Sequence, residues 1–153
     1  MTSPTGNKFA VVTGASSGIG FELAKQFAEH GYDLLIAAED EGIEEAAAAL
    51  RRDGQNQILS VRADLATFDG VEEVYAAILE SGRDVDALAL NAGRGIGGDF
   101  TRETALADEL NVIDVNVTST VHLAKRVLPD LVERGALRQG VREAAEREAV
   151  RVW

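Results

Sequence analysis

The chain has 153 residues, 46% of them hydrophobic but only 5% aromatic, with a formal charge of −11, two histidines and no cysteine. That length suits one ordinary domain with an aliphatic core, as in buried parallel sheets, and the missing cysteines exclude a disulfide framework, a thiolate metal site and a cysteine nucleophile. The acidity argues against a nucleic-acid partner and an anionic membrane surface, and His30 and His122 leave little for a metal site. No apolar run approaches the ~20 residues of a membrane span, and Met1 to Lys8 has no signal-peptide core, so a soluble cytoplasmic protein is expected.

In chain order, Lys8 to Thr13 is a short apolar strand, followed at once by a glycine turn. Gly18 to His30 reads as a helix with Ile19, Leu23, Phe27 and Ala28 inward and Gly31 beyond its end. Tyr32 to Ala38 is the second strand. Ile43 to Arg52 is a helix stopped by Asp53-Gly54, and Gln57 to Ala63 is the third strand. Thr67 to Ser81 is a helix with Val71, Val74, Tyr75 and Ile78 inward, and Val85 to Asn91 is the fourth strand. A glycine-rich loop covers Ala92 to Phe100. A long helix then spans roughly Thr101 to Arg134, with Leu110, Ile113, Val117, Val121, Ala124 and Leu128 as the expected inner face and Pro129 as a possible kink. Strict alternation with short connections predicts right-handed crossovers and a parallel sheet covered on both faces. Residues 1–134 form the expected domain. Residues 135–153, with four Arg and three Glu, change character and read as one more helix and a short strand at Val150 to Trp153.

Thr13-Gly14-Ala15-Ser16-Ser17-Gly18-Ile19-Gly20 lies between a strand and a helix. Gly14 allows the tight turn, Gly18 admits close approach of a phosphate, and Gly20 permits helix-on-strand packing. The amino end of the following helix then offers N–H groups and a positive dipole end to a pyrophosphate.

Together with Ala63-Asp64-Leu65, Asn91-Ala92-Gly93 and Asn111 to Val117 (N-V-I-D-V-N-V), this turn resembles the short-chain dehydrogenases/reductases over about residues 8–134. The resemblance implies a Rossmann-type doubly wound α/β sheet, truncated to four or five parallel strands in the order 3-2-1-4 with the tail as a possible addition. It implies a nicotinamide dinucleotide on Gly14, Ser16, Ser17, Gly18, Ile19 and Gly20, with Asp64 and Leu65 beside the adenine. Asn91, Ala92 and Gly93 close the site, with Asn91 near the ribose. Asn116 matches the family's active-site Asn, which bends its helix and holds a water linked to the catalytic Lys. Glu39, just after the second strand, can accept from both ribose hydroxyls and repel a 2′-phosphate, so NAD is favoured over NADP; a solvated acidic loop is the alternative.

The family's Ser and Tyr-x-x-x-Lys, its proton donor and ribose anchor, have no counterpart here. The tyrosines are Tyr32 and Tyr75, the lysines Lys8, Lys25 and Lys125, and no Ser follows Ser119. Three readings follow: a dinucleotide-binding remnant without a competent proton donor, an oxidoreductase that uses an unusual donor or completes its site from another chain, or an interaction module built on the long helix. In relatives that helix packs against its mate, so a homodimer through residues 101–134 is expected. The tail reads either as a deletion product or as a shifted reading frame.

Overall fold

The computed structural model describes residues 6–52 and 56–133. The elements in chain order are β1 (Phe9–Thr13), α1 (Gly18–Glu29), β2 (Asp33–Ala38), α2 (Gly42–Arg52), β3 (Ile58–Arg62), α3 (Phe68–Glu80), β4 (Ala87–Ala89), α4 (Leu106–Ile113), a π turn (Asp114–Thr118) and α5 (Ser119–Glu133). All strand pairs are parallel and the sheet order is β3-β2-β1-β4, as the resemblance implies. Val11 lies in register with Leu35 and Leu88, and Leu35 with Leu59.

Period-two alternation along β1 and β2 divides the core into two layers. Phe9, Val11, Leu35 and Ala37 face α3 and α5, joining Val71, Val74, Ile78, Leu123, Val127 and Leu131. Ala10, Val12, Leu34 and Ile36 face α1 and α2, joining Ala24, Ile43, Ala47 and Leu50. Both faces of the central strands are thus dry, which is why their sequences are unbroken apolar runs. No helix among the described residues is long and apolar enough to cross a membrane.

Helix phase departs from expectation twice. In α1 the buried positions are Gly20 and Ala24, whereas Ile19 is 76% exposed and Leu23 is 37% exposed. The helix approaches the sheet through Gly20 and Ala24, with Phe27 and Ala28 packed against the core as expected and Ile19 and Leu23 turned outward. In the long segment the expected inner face is the outer one. Leu110, Ile113, Val117, Val121 and Leu128 are exposed, while Val115, Ser119, Leu123, Val127 and Leu131 are buried. The segment also starts at Leu106 rather than Thr101 and is interrupted by the π turn; Pro129 lies inside α5. β4 is shorter than Val85 to Asn91. The expected Asp53-Gly54 stop and the tail helix and strand within 135–153 lie outside the described residues.

Candidate functional site

The carboxyl end of β1 is tied to the end of β4 by Thr13, which is buried. Its hydroxyl accepts from the amides of Asn91 and Ala92, both at 3.1 Å. Asn91 Nδ2 donates in return to the carbonyls of Thr13 at 3.2 Å and Gly14 at 3.3 Å. Gly14 has φ +67, and a Cβ there would meet Ala92 Cα at 2.8 Å. At Gly20 a Cβ would collide with the Gly14 carbonyl oxygen and with Asn91 Nδ2. Gly20 therefore lets α1 sit against the turn and Asn91 at once. Gly18 is different: φ is +57, but its missing Cβ would stand in open space. No described residue comes within 4 Å of that position, which leaves room for a ligand to approach the backbone.

The start of α1 has the electrostatics of an anion site. Ser17 is its N-cap, but the Ser17 side chain makes no capping bond, and the first turn holds no acidic residue. By contrast α3 is capped by Thr67 and carries Asp69 in its first turn. The amino end of α1 thus keeps its unpaired amides and positive dipole end for something else.

A cleft of about 390 Å³ opens beside this turn. Gly14, Ser16 and Ser17 form one wall, Ala38 to Asp40 the next, Ala63 and Leu65 the floor, and Ala92 to Arg94 with Val115 the far side. Gly18, Ile19, Gly20, Asp64, Asn91 and Asn116 are not wall residues. Asp64 turns its carboxylate back to accept from the Ala66 amide at 2.9 Å. Glu39 is exposed at the rim, and its carbonyl accepts from Arg62 Nε at 3.0 Å.

Asn116 sits in the π turn, with its side-chain amide paired to the backbone of Arg94. Oδ1 accepts from the Arg94 amide at 2.7 Å and Nδ2 donates to the Arg94 carbonyl at 2.8 Å. A π turn widens the helix locally and carries Asn116 toward the loop. The start of the loop after β4 is therefore held twice, by Thr13 at Asn91 and Ala92 and by Asn116 at Arg94. Gly93 fits this contact, since a Cβ there would come within 3.2 Å of Asn116 Oδ1.

Two wall residues were not singled out in the sequence. Asp40 accepts from Ser16 Oγ at 2.7 Å and from the Gly42 amide at 2.9 Å, so it joins the glycine turn to α2. An Asp two residues before a helix start is a readable capping signal. Arg94 lines the cleft beyond Gly93, and its Nη1 donates to Asn111 Oδ1 at 3.1 Å. Neither Tyr32, stacked edge-on against Phe27, nor Tyr75, on α3, lines the cleft. The carboxylates pulled below their ordinary range lie elsewhere: Glu72, through its hydrogen bond from Arg126, and Asp99, through that from Thr101.

The short chain dehydrogenase family profile matches residues 8–138. The NADP-dependent 3-hydroxy acid dehydrogenase YdfG of Salmonella typhi is 29% identical over 124 residues, covering 81% of this chain and 49% of the relative. A putative ketoacyl reductase of Streptomyces coelicolor is 37% identical over 139 residues, covering 84% and 50%. Among solved structures, L-sorbose reductase of Gluconobacter frateurii, complexed with NADPH and L-sorbose, superposes with a TM-score of 0.78 at 32% identity over 88% of this chain and 51% of that one. The chain thus spans about half the length of the relatives it matches. These relatives correct the expectation of NAD from Glu39, because the cofactors they name are NADP and NADPH. The acidic triplet is also not a bare anion: Asp40 is held by Ser16 and Gly42, and Glu41 pairs with Arg62 at 3.2 Å. With motifs, sheet order and profile in agreement, the chain belongs to the short-chain dehydrogenase family.

Proposed function

We propose that this chain is the NADP(H)-holding half of a short-chain oxidoreductase, and that these 153 residues by themselves bind the dinucleotide without transferring hydride. The open space over Gly18, beside a helix end without cap or carboxylate, carries the binding half of the reading. Ser16, Ser17, Gly18 and Ile19 hold the pyrophosphate, Leu65 with Asp64 flanks the adenine, and Ala92 and Gly93 close over the ribose. When bound, the nicotinamide supplies or accepts a hydride. Asn91 and Asn116 act as positioning residues: one locks β4 to the glycine turn, the other holds the Gly93-Arg94 backbone that borders the cleft. The absence of any Tyr after Tyr75 and of any Tyr-x-x-x-Lys carries the second half. Titrating NADPH by its fluorescence and then assaying carbonyl reduction tests both. Saturable binding without turnover is expected; no binding overturns the first half, and turnover overturns the second.

A homodimer through α4 and α5 is a second part of this reading. It is favoured by the exposed stripe of Leu110, Ile113, Val117, Val121, Leu128 and Val132, a continuous apolar face of a kind monomeric surfaces rarely keep. Sedimentation should give twice the chain mass, shifting to one chain mass in V121E.

A further inference from the structure

The corner that would receive an adenosine 2′-phosphate carries three consecutive carboxylates, Glu39, Asp40 and Glu41. A phosphate monoester bears close to two negative charges at neutral pH, so it needs a cation there. Arg62 is in place. It is the last residue of β3, in register with Ala38 at the end of β2. Its Nε donates to the Glu39 carbonyl at 3.0 Å and its Nη1 pairs with Glu41 at 3.2 Å. The two side chains of that pair are 57% and 84% exposed, so water screens the attraction and the partner is exchangeable. Arg94 lines the cleft itself and is held by Asn111.

We infer that Arg62 is the counter-charge for the 2′-phosphate of NADP(H), with its guanidinium exchanging the Glu41 carboxylate for phosphate oxygens while Nε stays on the Glu39 carbonyl. The backbone anchor fixes the guanidinium beside Glu39, which lines the cleft, so little side-chain freedom remains to be lost on binding. A planar fork that already tolerates a carboxylate also matches a phosphate. Specificity for the phosphorylated dinucleotide thereby comes from the end of β3 in this chain, across from an acidic loop. The inference rests on the proposed nucleotide site.

The test is fluorescence titration of the whole chain and its R62Q and E41Q variants with NADPH and with NADH. R62Q should weaken NADPH roughly tenfold or more, the scale of one hydrogen bond to a charged group, and leave NADH unchanged. E41Q, which releases the guanidinium, should tighten NADPH about threefold. Far-UV circular dichroism and melting verify that each variant is folded, and R62M replaces R62Q if that variant is not. Equal NADPH affinity in wild type and R62Q overturns the inference alone. Loss of NADPH and NADH to the same extent also overturns it, because Arg62 would then only support the loop. A wild-type chain that binds neither dinucleotide overturns the nucleotide site itself.

Discussion

The stretch from β1 to β4 and the stretch from α4 to α5 are both amphipathic, yet they finish their surfaces differently. In the first, α1, α2 and α3 each turn one apolar side to the sheet, and only Ile19, Leu23, Phe68 and Leu79 are large hydrophobics left exposed. In the second, α5 buries Leu123, Val127 and Leu131 against α3 and the sheet but keeps a second apolar stripe outside. Of the twelve exposed large hydrophobics among the described residues, eight lie beyond residue 99. Exposed apolar surface is therefore concentrated on the α4–α5 segment. The two regions also differ in their polar fastenings. The first is pinned by a buried pair, Arg83 Nη1 to Asp33 Oδ2 at 2.8 Å, and the second by Glu72 of α3 reaching His122 and Arg126 of α5 at the surface.

The largest effect should come from breaking the buried pin. Asp33 is fully buried and also accepts from the Gln57 amide at 2.8 Å, while Arg83 donates to the Asn7 carbonyl at 2.9 Å and lies over the Phe9 ring at 5.0 Å. R83M keeps the volume but strands a buried carboxylate, which should cost about 3–5 kcal/mol in urea unfolding. A cost below about 1 kcal/mol would place this pair with surface ion pairs and remove the contrast between the regions.

Next comes the contrast between the two faces of α5, two residues apart. Leu123 is 1% exposed and Val121 is 63% exposed. L123A should cost about 2–5 kcal/mol through cavity formation. V121A should change the stability of the separated chain by no more than about 0.5 kcal/mol. Self-association should respond in the reverse order, with V121A weakening it at protein concentrations where L123A, if folded, does not. Equal unfolding costs would mean that Val121 is as well packed as Leu123 and that α5 has no free face.

This helix also marks where the sequence stopped being legible. Element order and the glycine turn were readable because each rests on local chemistry, unbroken apolar runs, short connections and glycine spacing, and the strand order followed from the family resemblance. The facing of α5 was not, because α5 is apolar on two sides and periodicity alone does not say which side meets the sheet. Ser119 concealed the buried stripe. It is polar, yet it lies inward at 5% exposure because its hydroxyl is satisfied by the Val115 carbonyl at 2.6 Å. The site divides in the same way. Gly14, Gly18 and Gly20 were legible from spacing, whereas Asp40 and Arg62 acquire their roles only when β2, β3 and the turn converge. The expectation of NAD rested on Glu39 alone, whereas the relatives name NADP and NADPH and the acidic triplet has Arg62 beside it, bonded to the Glu39 carbonyl and to Glu41.

The smallest effect should come from the surface pin between α3 and α5. Glu72 accepts from His122 Nε2 at 2.6 Å and from Arg126 Nε at 2.8 Å. The Arg126 hydrogen bond holds the Glu72 carboxyl below the ordinary carboxylate range, partial burial opposes this, and His122 adds to the lowering. A carboxyl whose folded pKa is depressed contributes stability that is fully present above its unfolded value and disappears as the pH falls through the folded value. Wild type should therefore be more stable than E72Q at neutral pH. That advantage should vanish once the pH drops below the ordinary carboxylate range, because Glu72 is then protonated and no longer an anion. Hydrogen exchange should place the change at the α5 amides around Leu123 to Val127, with β1 and β2 unaffected, since only α5 depends on this fastening. Wild type and E72Q curves that run parallel through the acid range would mean that α5 is held by its buried stripe alone.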